Sequence, residues 1–444
     1  MQRQYDFTKG NIFKQLIFFS GPIILANILQ TSYQVVDSLW IGNLLGADAL
    51  GAVAVSGVIV FTLLSFVIGL NNAALTILSQ QKGRGDEEGL KKYVNAFVVT
   101  LLFLSIIMAI IGVIFAEQML QLLRTPENLM PYATRYLQIN FIGVLFLFGY
   151  NFISTILRAV GDSKSPLRFV FIAVILNIVF DPLFIEGFNL GVDGAAYATI
   201  LSQGIAFVYG FIFVIRRKLV PFQMPKIPAA EEVSLILKLG IPAGLQMSVI
   251  SAGSAAIMSV VTTFGSAVVG GFGAAQRLDS MIMIPAQALG TAVNSMAGQN
   301  MGVKNWKRVN NIATYGLLYN FICMSVIGFV IILFAPFFVQ LFIRELEAVQ
   351  FAVTYLRIMA FCFPFLGINF VLNGVVRASG AMYQVLILNI ISFWILRYPL
   401  TYFFSQQYNE VGIAIGMGTS FVISSVLAFL YYKFGKWRKK EILS

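Results

Sequence analysis

Charged side chains are scarce in this sequence, and so are the residues that hold metals or form disulfides. Only 11% of the 444 residues are charged, whereas soluble globular chains average about 25%. The absence of histidine excludes histidine-ligated metals and a histidine proton relay. Both cysteines, Cys323 and Cys362, lie in apolar runs, where nothing supports a disulfide. Hydrophobic residues make up 58% of the chain, which indicates a membrane protein.

Apolar runs long enough to cross a bilayer recur along the whole chain. A spanning helix needs about 20 mostly apolar residues, and twelve runs meet this requirement. The connections between them are short, so none can fold as a separate soluble domain. We predict an all-α polytopic membrane protein with two parallel six-helix lobes. The predicted spans are residues 13–38, 51–79, 94–116, 133–156, 168–187, 193–216, 234–263, 270–297, 310–336, 350–376, 384–406 and 411–434.

The two halves repeat each other at an offset of 219 residues. Tyr136 recurs as Tyr355, and Arg158-Ala159-x-Gly161 recurs as Arg377-Ala378-x-Gly380. A repeat at a fixed offset indicates an internally duplicated architecture. Both halves contain an even number of spans, so they enter the membrane in the same direction. We predict an N-terminal lobe over 1–217, a proline-rich linker over 218–233 and a C-terminal lobe over 234–444.

The net charge of +11 is distributed unevenly between the two sides of the predicted membrane. Most lysines and arginines lie at the termini and in connections on one side, while the opposite loops contain only Arg124 and Arg344. By the positive-inside rule, both termini lie in the cytoplasm, and we expect a multi-pass membrane protein. The expected partner is the lipid bilayer. We expect no nucleic acid and no obligate protein partner.

Few acids lie within the predicted spans, and each is a candidate functional residue because burying a carboxylate in a bilayer is costly. Asp181 lies well inside the fifth span, and Asn177 is four residues earlier on the same helix face. Their oxygens suit a hard cation or a bound proton, although helix capping is an alternative. Asp37 lies either in the same site or at the outer membrane interface. Pro22 permits a bend in the first span.

The second half lacks this polar cluster. At the 219-residue offset, Asp37, Asn177 and Asp181 correspond to Ala256, Leu396 and Leu400. A purely structural requirement should appear in both halves, so the difference predicts a coupling-ion site in the N-terminal lobe only. Arg277 and Asp279 lie two residues apart and do not share a helix face. Arg277 and Arg397 need counter-charges or water; either residue could close a gate, and the alternative is structural pairing inside the second lobe.

The chain resembles the multidrug and toxic compound extrusion (MATE) family, within the multi-antimicrobial extrusion, oligosaccharidyl-lipid and polysaccharide exporter superfamily. The resemblance rests on the twelve spans, Asp37 and the segment LNIVFDPLF at 176–184, with weaker matches at Phe7-Thr8-x-Gly10 and Ala275-Gln276-Arg277. It implies an antiporter of a prokaryotic cytoplasmic membrane, with small organic substrates as partners. Such an antiporter exports organic, often cationic, compounds in exchange for H⁺ or Na⁺. It also implies a proton or possible Na⁺ site at Asp37, Asn177, Asp181 and Thr199, with Tyr136 nearby.

The substrate cavity and the alternative functions are the last points that the sequence addresses. Candidates for the substrate cavity or a gate are Gln34, Met247, Met258, Gln276, Arg277 and Met281, although methionines in apolar helices also serve as plain core. Another bacterial branch of the family has Na⁺-binding acids in the seventh and tenth spans, and these spans contain no acid here. The alternative function is a flippase for lipid-linked oligosaccharide or lipid. A channel, a receptor or an enzyme fits less well, and we expect no cofactor other than the coupling ion.

Overall fold

A computed structural model of the protein describes residues 4–443, with the exception of the Ala47 side chain. These residues form helices joined by short turns, with no β-strand among them. Helices satisfy their backbone polar groups internally, as a bilayer interior requires. The α-helices within the described residues are α1 (Ile12–Leu45), α2 (Ala47–Arg84), α3 (Glu87–Leu122), α4 (Met130–Ile142), α5 (Val144–Ala159), α6 (Lys164–Pro182), α7 (Gly191–Arg216), α8 (Ala230–Val261), α9 (Ser266–Ile282), α10 (Ile284–Gly302), α11 (Trp306–Gln340), α12 (Leu346–Ala360), α13 (Phe363–Ala378), α14 (Met382–Ile390), α15 (Tyr398–Tyr408) and α16 (Val411–Phe434).

Within residues 4–443, nine helices are long and apolar enough to cross a membrane. Two bent pairs raise the number to eleven, because α4 meets α5 at 49° and α12 meets α13 at 54°. The predicted eighth span, 270–297, corresponds to α9 and α10, which are not among these candidates. The break after Ile282 leaves α9 with only 17 residues, and Gln287 and Asn294 interrupt the apolar sequence of α10. The prediction of an all-α polytopic membrane protein is confirmed.

The duplication is visible in matching turns of the two halves. Gly46 precedes α2 with φ 86°, and its repeat partner Gly265 precedes α9 with φ 96°. Glycine adopts this region of φ without the steric strain that a Cβ atom introduces. Asp86 and Asn305, also 219 residues apart, cap α3 and α11 by accepting a backbone N–H from the first turn. Equivalent helices of the two halves therefore begin with the same turn geometry or the same type of cap.

Packing divides the described chain into two compact units with boundaries that differ from the predicted lobes. The N-terminal unit comprises residues 4–6 and 21–240, and the C-terminal unit comprises residues 7–20 and 241–443. Residues 7–20 join the C-terminal unit because the chain before α1 finds its polar partners there. The Phe7 amide donates to Gln299 Oε1 at 3.1 Å, and Arg308 Nε donates to the Phe7 carbonyl oxygen at 2.7 Å.

The predicted linker, residues 218–233, is mostly non-helical, but it packs on the N-terminal unit. Its backbone at Lys226 makes two hydrogen bonds with Asn95 on α3: Asn95 Nδ2 donates to the carbonyl at 2.8 Å, and the Lys226 amide donates to Asn95 Oδ1 at 2.9 Å. Lys92 Nζ lies 3.0 Å from Glu232 Oε1. The segment is therefore held along α3.

Candidate cation-binding site

The polar residues that the sequence singled out in the first half meet within the N-terminal unit. Asp37 lies on α1, Tyr136 on α4, Asn177 and Asp181 on α6, and Thr199 on α7. Asn177 is 2% exposed and Asp181 is fully buried, while Asp37 and Thr199 are partly buried. Four helices therefore contribute to one polar cluster, although the residues are far apart in the sequence.

A single amide group links α6 to α7 at this cluster. The side-chain nitrogen of Asn177 lies 3.4 Å from Asp181 Oδ1 and 3.4 Å from Thr199 Oγ1. The first contact is possible because residues four apart share a helix face. The Thr199 hydroxyl donates in turn to the Ala195 carbonyl oxygen at 3.2 Å, which leaves its oxygen free to accept from Asn177.

Asp37 lies beside Asp181, and the two carboxyl groups are close enough to interact by a hydrogen bond. Such a bond requires that one of them carry a proton, because two ionised carboxylates are both acceptors. Tyr136 interacts electrostatically with both acids. Asp37 therefore lies in the same cluster as the buried Asp181.

Three buried oxygens of the cluster lack a hydrogen-bond partner among residues 4–443. They are Asp37 Oδ1, Asn177 Oδ1 and Asp181 Oδ2. Buried polar atoms without partners are rare in folded proteins, since each one costs free energy. All three are acceptors, and no described residue supplies them with a donor. Carboxylate, amide and hydroxyl oxygens are the groups that hard cations prefer.

The main chain changes its helical form immediately after Asp181. Helix α6 ends at Pro182, and a π-helical segment follows over Leu183–Gly187. Proline has no backbone N–H and cannot donate to the preceding turn, and π-helical turns occur frequently at functional sites. Asp181 therefore lies in the last α-helical turn, where the regular hydrogen-bond ladder ends.

Sequence reasoning missed other polar residues around the cluster. Tyr33, Tyr150 and Gln203 line a small pocket next to Asn177. Two of them carried a detectable signal: Tyr33 is four residues before Asp37, and Gln203 is four residues after Thr199. Both spacings put the side chains on the same helix faces as site residues that were recognised. Tyr150 comes from α5 and had no such signal.

The residues predicted to line a cavity or gate have varied surroundings. Within the N-terminal unit, Gln34 is exposed. Pro22 lies inside α1, directly after residue 21, where the long segment 21–240 of this unit begins. Within the C-terminal unit, Met247 is partly buried, and Met258 packs against the apolar core. The surroundings of Met258 match the core alternative for methionine.

Arg277 and Asp279 have different surroundings in the structure, as their two-residue spacing predicted. Arg277 and Met281 are exposed on α9. Asp279 instead accepts a hydrogen bond from the Tyr355 hydroxyl at 3.0 Å, and the Gln276 side chain also bonds to Tyr355. The C-terminal unit therefore has an acid near a repeated tyrosine, on a helix different from those that contribute acids to the N-terminal unit.

Comparison with protein families finds the same duplication. The family model MatE matches residues 22–183 and again residues 242–403. The two matched segments have equal length, and both their starts and their ends are 220 residues apart. The family model thus aligns with each half in turn, close to the offset that the repeated motifs indicate.

Proteins similar to this one over nearly their whole length are known in bacteria. Bacillus subtilis (strain 168) contains a "Probable multidrug resistance protein YpnP", 60% identical over 442 residues, which cover 100% of this chain and 99% of the relative. A second protein of that strain, "Probable multidrug resistance protein YoeA", is 30% identical over 447 residues, covering 98% and 96%.

The fold also matches a solved structure described as the outward-facing conformation of a multidrug resistance MATE family transporter of the MOP superfamily. The TM-score is 0.93, and the match covers 99% of this chain and 100% of the other. Because the two sequences are only 22% identical, this comparison supports the two-lobed fold and nothing further.

Proposed function

Since this chain belongs to the MatE family of membrane transporters, we propose that it is a secondary active antiporter. In this proposal it exports organic compounds, cationic and amphipathic, in exchange for H⁺ or Na⁺ by alternating access. It does so in the cytoplasmic membrane of a prokaryote with both termini in the cytoplasm. The names of its relatives support multidrug efflux as the transport activity.

The observation that carries this proposal is the set of unpartnered acceptors at Asp37, Asn177 and Asp181. Without a cation, two neighbouring carboxylates repel each other and also lack the donors that water would supply. A proton between the carboxyl groups removes one negative charge and creates a hydrogen bond. A Na⁺ ion instead offers its charge to the free oxygens, with Thr199 as a further oxygen donor. Both ions suit this arrangement.

Coupling requires that the bound ion stabilise one state of the transporter more than the other. The site is suited to this task because its oxygens come from α1, α6 and α7. Drawing the Asp37 carboxyl towards Asp181 shifts α1 relative to α6, and the Asn177 amide transmits the shift to Thr199 on α7. Ion binding thus acts within the N-terminal unit on α6, on α7 and on the part of α1 that follows residue 20.

Transport by the purified full-length protein in proteoliposomes tests the proposal. The probe is a fluorescent organic cation such as ethidium, followed under a pH gradient alone or a Na⁺ gradient alone, with empty liposomes as the control. We expect dye movement opposite to the ion gradient, and its collapse when an ionophore removes that gradient. Dye movement that neither gradient drives would contradict antiport.

A further inference from the structure

The C-terminal unit contains a buried charged cluster that the proposed coupling site does not use. Asp279 on α9, Tyr355 on α12 and Arg397 form it. Arg397 is the last residue of a second π-helical segment, Ile391–Arg397. Tyr355 and Arg397 are buried, with 1% and 5% exposure. Charged residues rarely occur at such depth unless they are paired or functional.

The surroundings of Arg397 are unusual for a cation. Its guanidinium carbon lies 3.8 Å from the ring centre of Phe393 and 4.5 Å from that of Phe421. Aromatic faces attract cations, most strongly when water is excluded. Arg397 Nε has no hydrogen-bond partner among residues 4–443, and Asp279 Oδ1 likewise has none. The Tyr355 hydroxyl that donates to Asp279 also lies 3.6 Å from Met417 Sδ, one turn before Phe421 on α16. Asp279 and Arg397 therefore lie in one neighbourhood and attract each other, although their charged groups are not within 4.0 Å of each other.

Comparison of the repeats shows what this cluster replaces. Tyr136 interacts with Asp37 and Asp181 in the N-terminal unit, and its repeat partner Tyr355 interacts with Asp279 and Arg397. The repeat partner of Asn177 is Leu396, and Arg397 is the next residue. One unit therefore presents two carboxyl groups without a protein cation, whereas the other presents one carboxyl group with a guanidinium.

We propose that Arg397 is a tethered cation that neutralises Asp279 from within the C-terminal unit, in the role that the coupling ion has in the N-terminal unit. This inference rests on the proposed function. It implies that H⁺ or Na⁺ acts on the N-terminal unit alone, and that Arg397 determines this selectivity. Removing the guanidinium should convert the neighbourhood of Asp279 into a site for an external monovalent cation.

Few charged groups face Asp279, so a new cation site there can be attributed to the loss of Arg397. The charged or titratable residues in electrostatic contact with it, among those described, are Tyr355 from α12 and Arg397. Arg277 is on the same helix but is exposed on another face. When Arg397 is replaced by leucine, the Asp279 carboxyl keeps the Tyr355 hydroxyl as a donor but loses the nearby positive charge. An ion that binds the folded state then stabilises it by mass action.

The test measures thermal unfolding of purified full-length protein that carries Asp37→Asn and Asp181→Asn. These two substitutions remove both carboxylate charges from the proposed coupling site. Arg397→Leu, Arg397→Lys and the pair Asp279→Asn with Arg397→Leu are added separately to this background. Each protein is unfolded in NaCl or choline chloride, and at about pH 5 and pH 8. We expect NaCl or acid to raise the Tm of the Arg397→Leu protein by about 3 °C or more relative to the background. The Arg397→Lys protein and the doubly neutral protein should show no such gain.

Two results would overturn the inference: a folded Arg397→Leu protein without the gain, or a background protein that already binds the ion through Asp279. If Arg397→Leu fails to fold, adding Asp279→Asn should restore folding, because it removes the uncompensated buried charge. Failure of that rescue also contradicts the inference. The protein with intact Asp37 and Asp181, unfolded in the same solutions, reports on the proposed function separately.

Discussion

The Asn177 side-chain amide donates to Asp181, four residues further along α6, over 3.4 Å, while its own carbonyl oxygen has no partner among residues 4–443. The amide therefore orients the carboxyl group and leaves acceptor oxygens free on both residues. A helix cap would instead direct side-chain oxygens at backbone N–H groups of the first turn. This geometry favours a binding role for the pair.

Asp181→Asn should abolish gradient-driven efflux while the protein remains folded in the membrane. The substitution keeps the shape of the side chain but removes the charge that attracts the coupling ion. Efflux is measured in proteoliposomes with equal amounts of protein. Asp193→Asn is the matched control, because Asp193 pairs with Arg135 at 2.6 Å on the same unit, outside the cluster. Normal efflux by a well-folded Asp181→Asn protein would exclude Asp181 from coupling.

Asp37→Asn should reduce the efflux rate and also change its dependence on pH. Removing one of two neighbouring negative charges weakens proton binding by the remaining carboxyl group. The acid-side limb of the efflux profile should therefore move to lower pH. The measurement is the initial rate of efflux across a pH series. An unchanged rate and profile would mean that Asp37 does not belong to the coupling site.

Thr199→Val tests whether a hydroxyl oxygen contributes to ion binding. Valine preserves the branched shape but removes the acceptor that meets the Asn177 amide at 3.4 Å. The loss of one hydrogen-bonding group costs roughly 1 kcal/mol, or about a fivefold weaker ion affinity. The ion concentration that gives half-maximal efflux should rise accordingly, and Thr199→Ser should restore it. Equal values for the valine and wild-type proteins would remove Thr199 from the site.

Gly194→Ala should destabilise the N-terminal unit near the coupling site. A Cβ atom at Gly194 on α7 would lie 2.7 Å from backbone atoms of Phe184 in the first π-helical segment. Overpacking of this kind costs about 1–3 kcal/mol, so the thermal unfolding temperature should fall. Gly57→Ala on α2 is the control, since no atom lies within 4 Å of its new Cβ. Equal unfolding temperatures for the two variants would contradict the close helix contact.

Hydropathy predicted the helical architecture because a bilayer imposes the same length and polarity on every span. It did not predict where helices end in water: the second predicted span ends at residue 79, whereas α2 continues to Arg84. The helix continues through the polar residues after the apolar run and ends at Arg84, because the next residue, Gly85, adopts a left-handed conformation with φ 70°. Apolarity alone also overlooked the division of the predicted eighth span between α9 and α10.

The candidate site was predictable only where its residues share a helix or resemble a family motif. The spacing of Asn177 and Asp181 indicated a shared face. The depth of Asp37 remained ambiguous, because contact between α1 and α6 depends on helix tilt and rotation. The interaction of Asp279 with Arg397 joins residues 118 positions apart in the sequence, and no periodicity encodes it. Long-range contacts of this kind appear only in the folded structure.

The most direct test of the central claim, that ion binding acts first on the N-terminal unit, is a spin-label distance measured within each unit. Labels at the exposed positions Leu39 on α1 and Leu201 on α7 report on the N-terminal unit, and labels at Phe329 and Phe403 report on the C-terminal unit. Distances are recorded across a pH series and a Na⁺ series. We expect the first distance to change with ion binding and to stop changing in Asp37→Asn or Asp181→Asn protein. A C-terminal distance that changes first, and still changes in both variants, would contradict the claim.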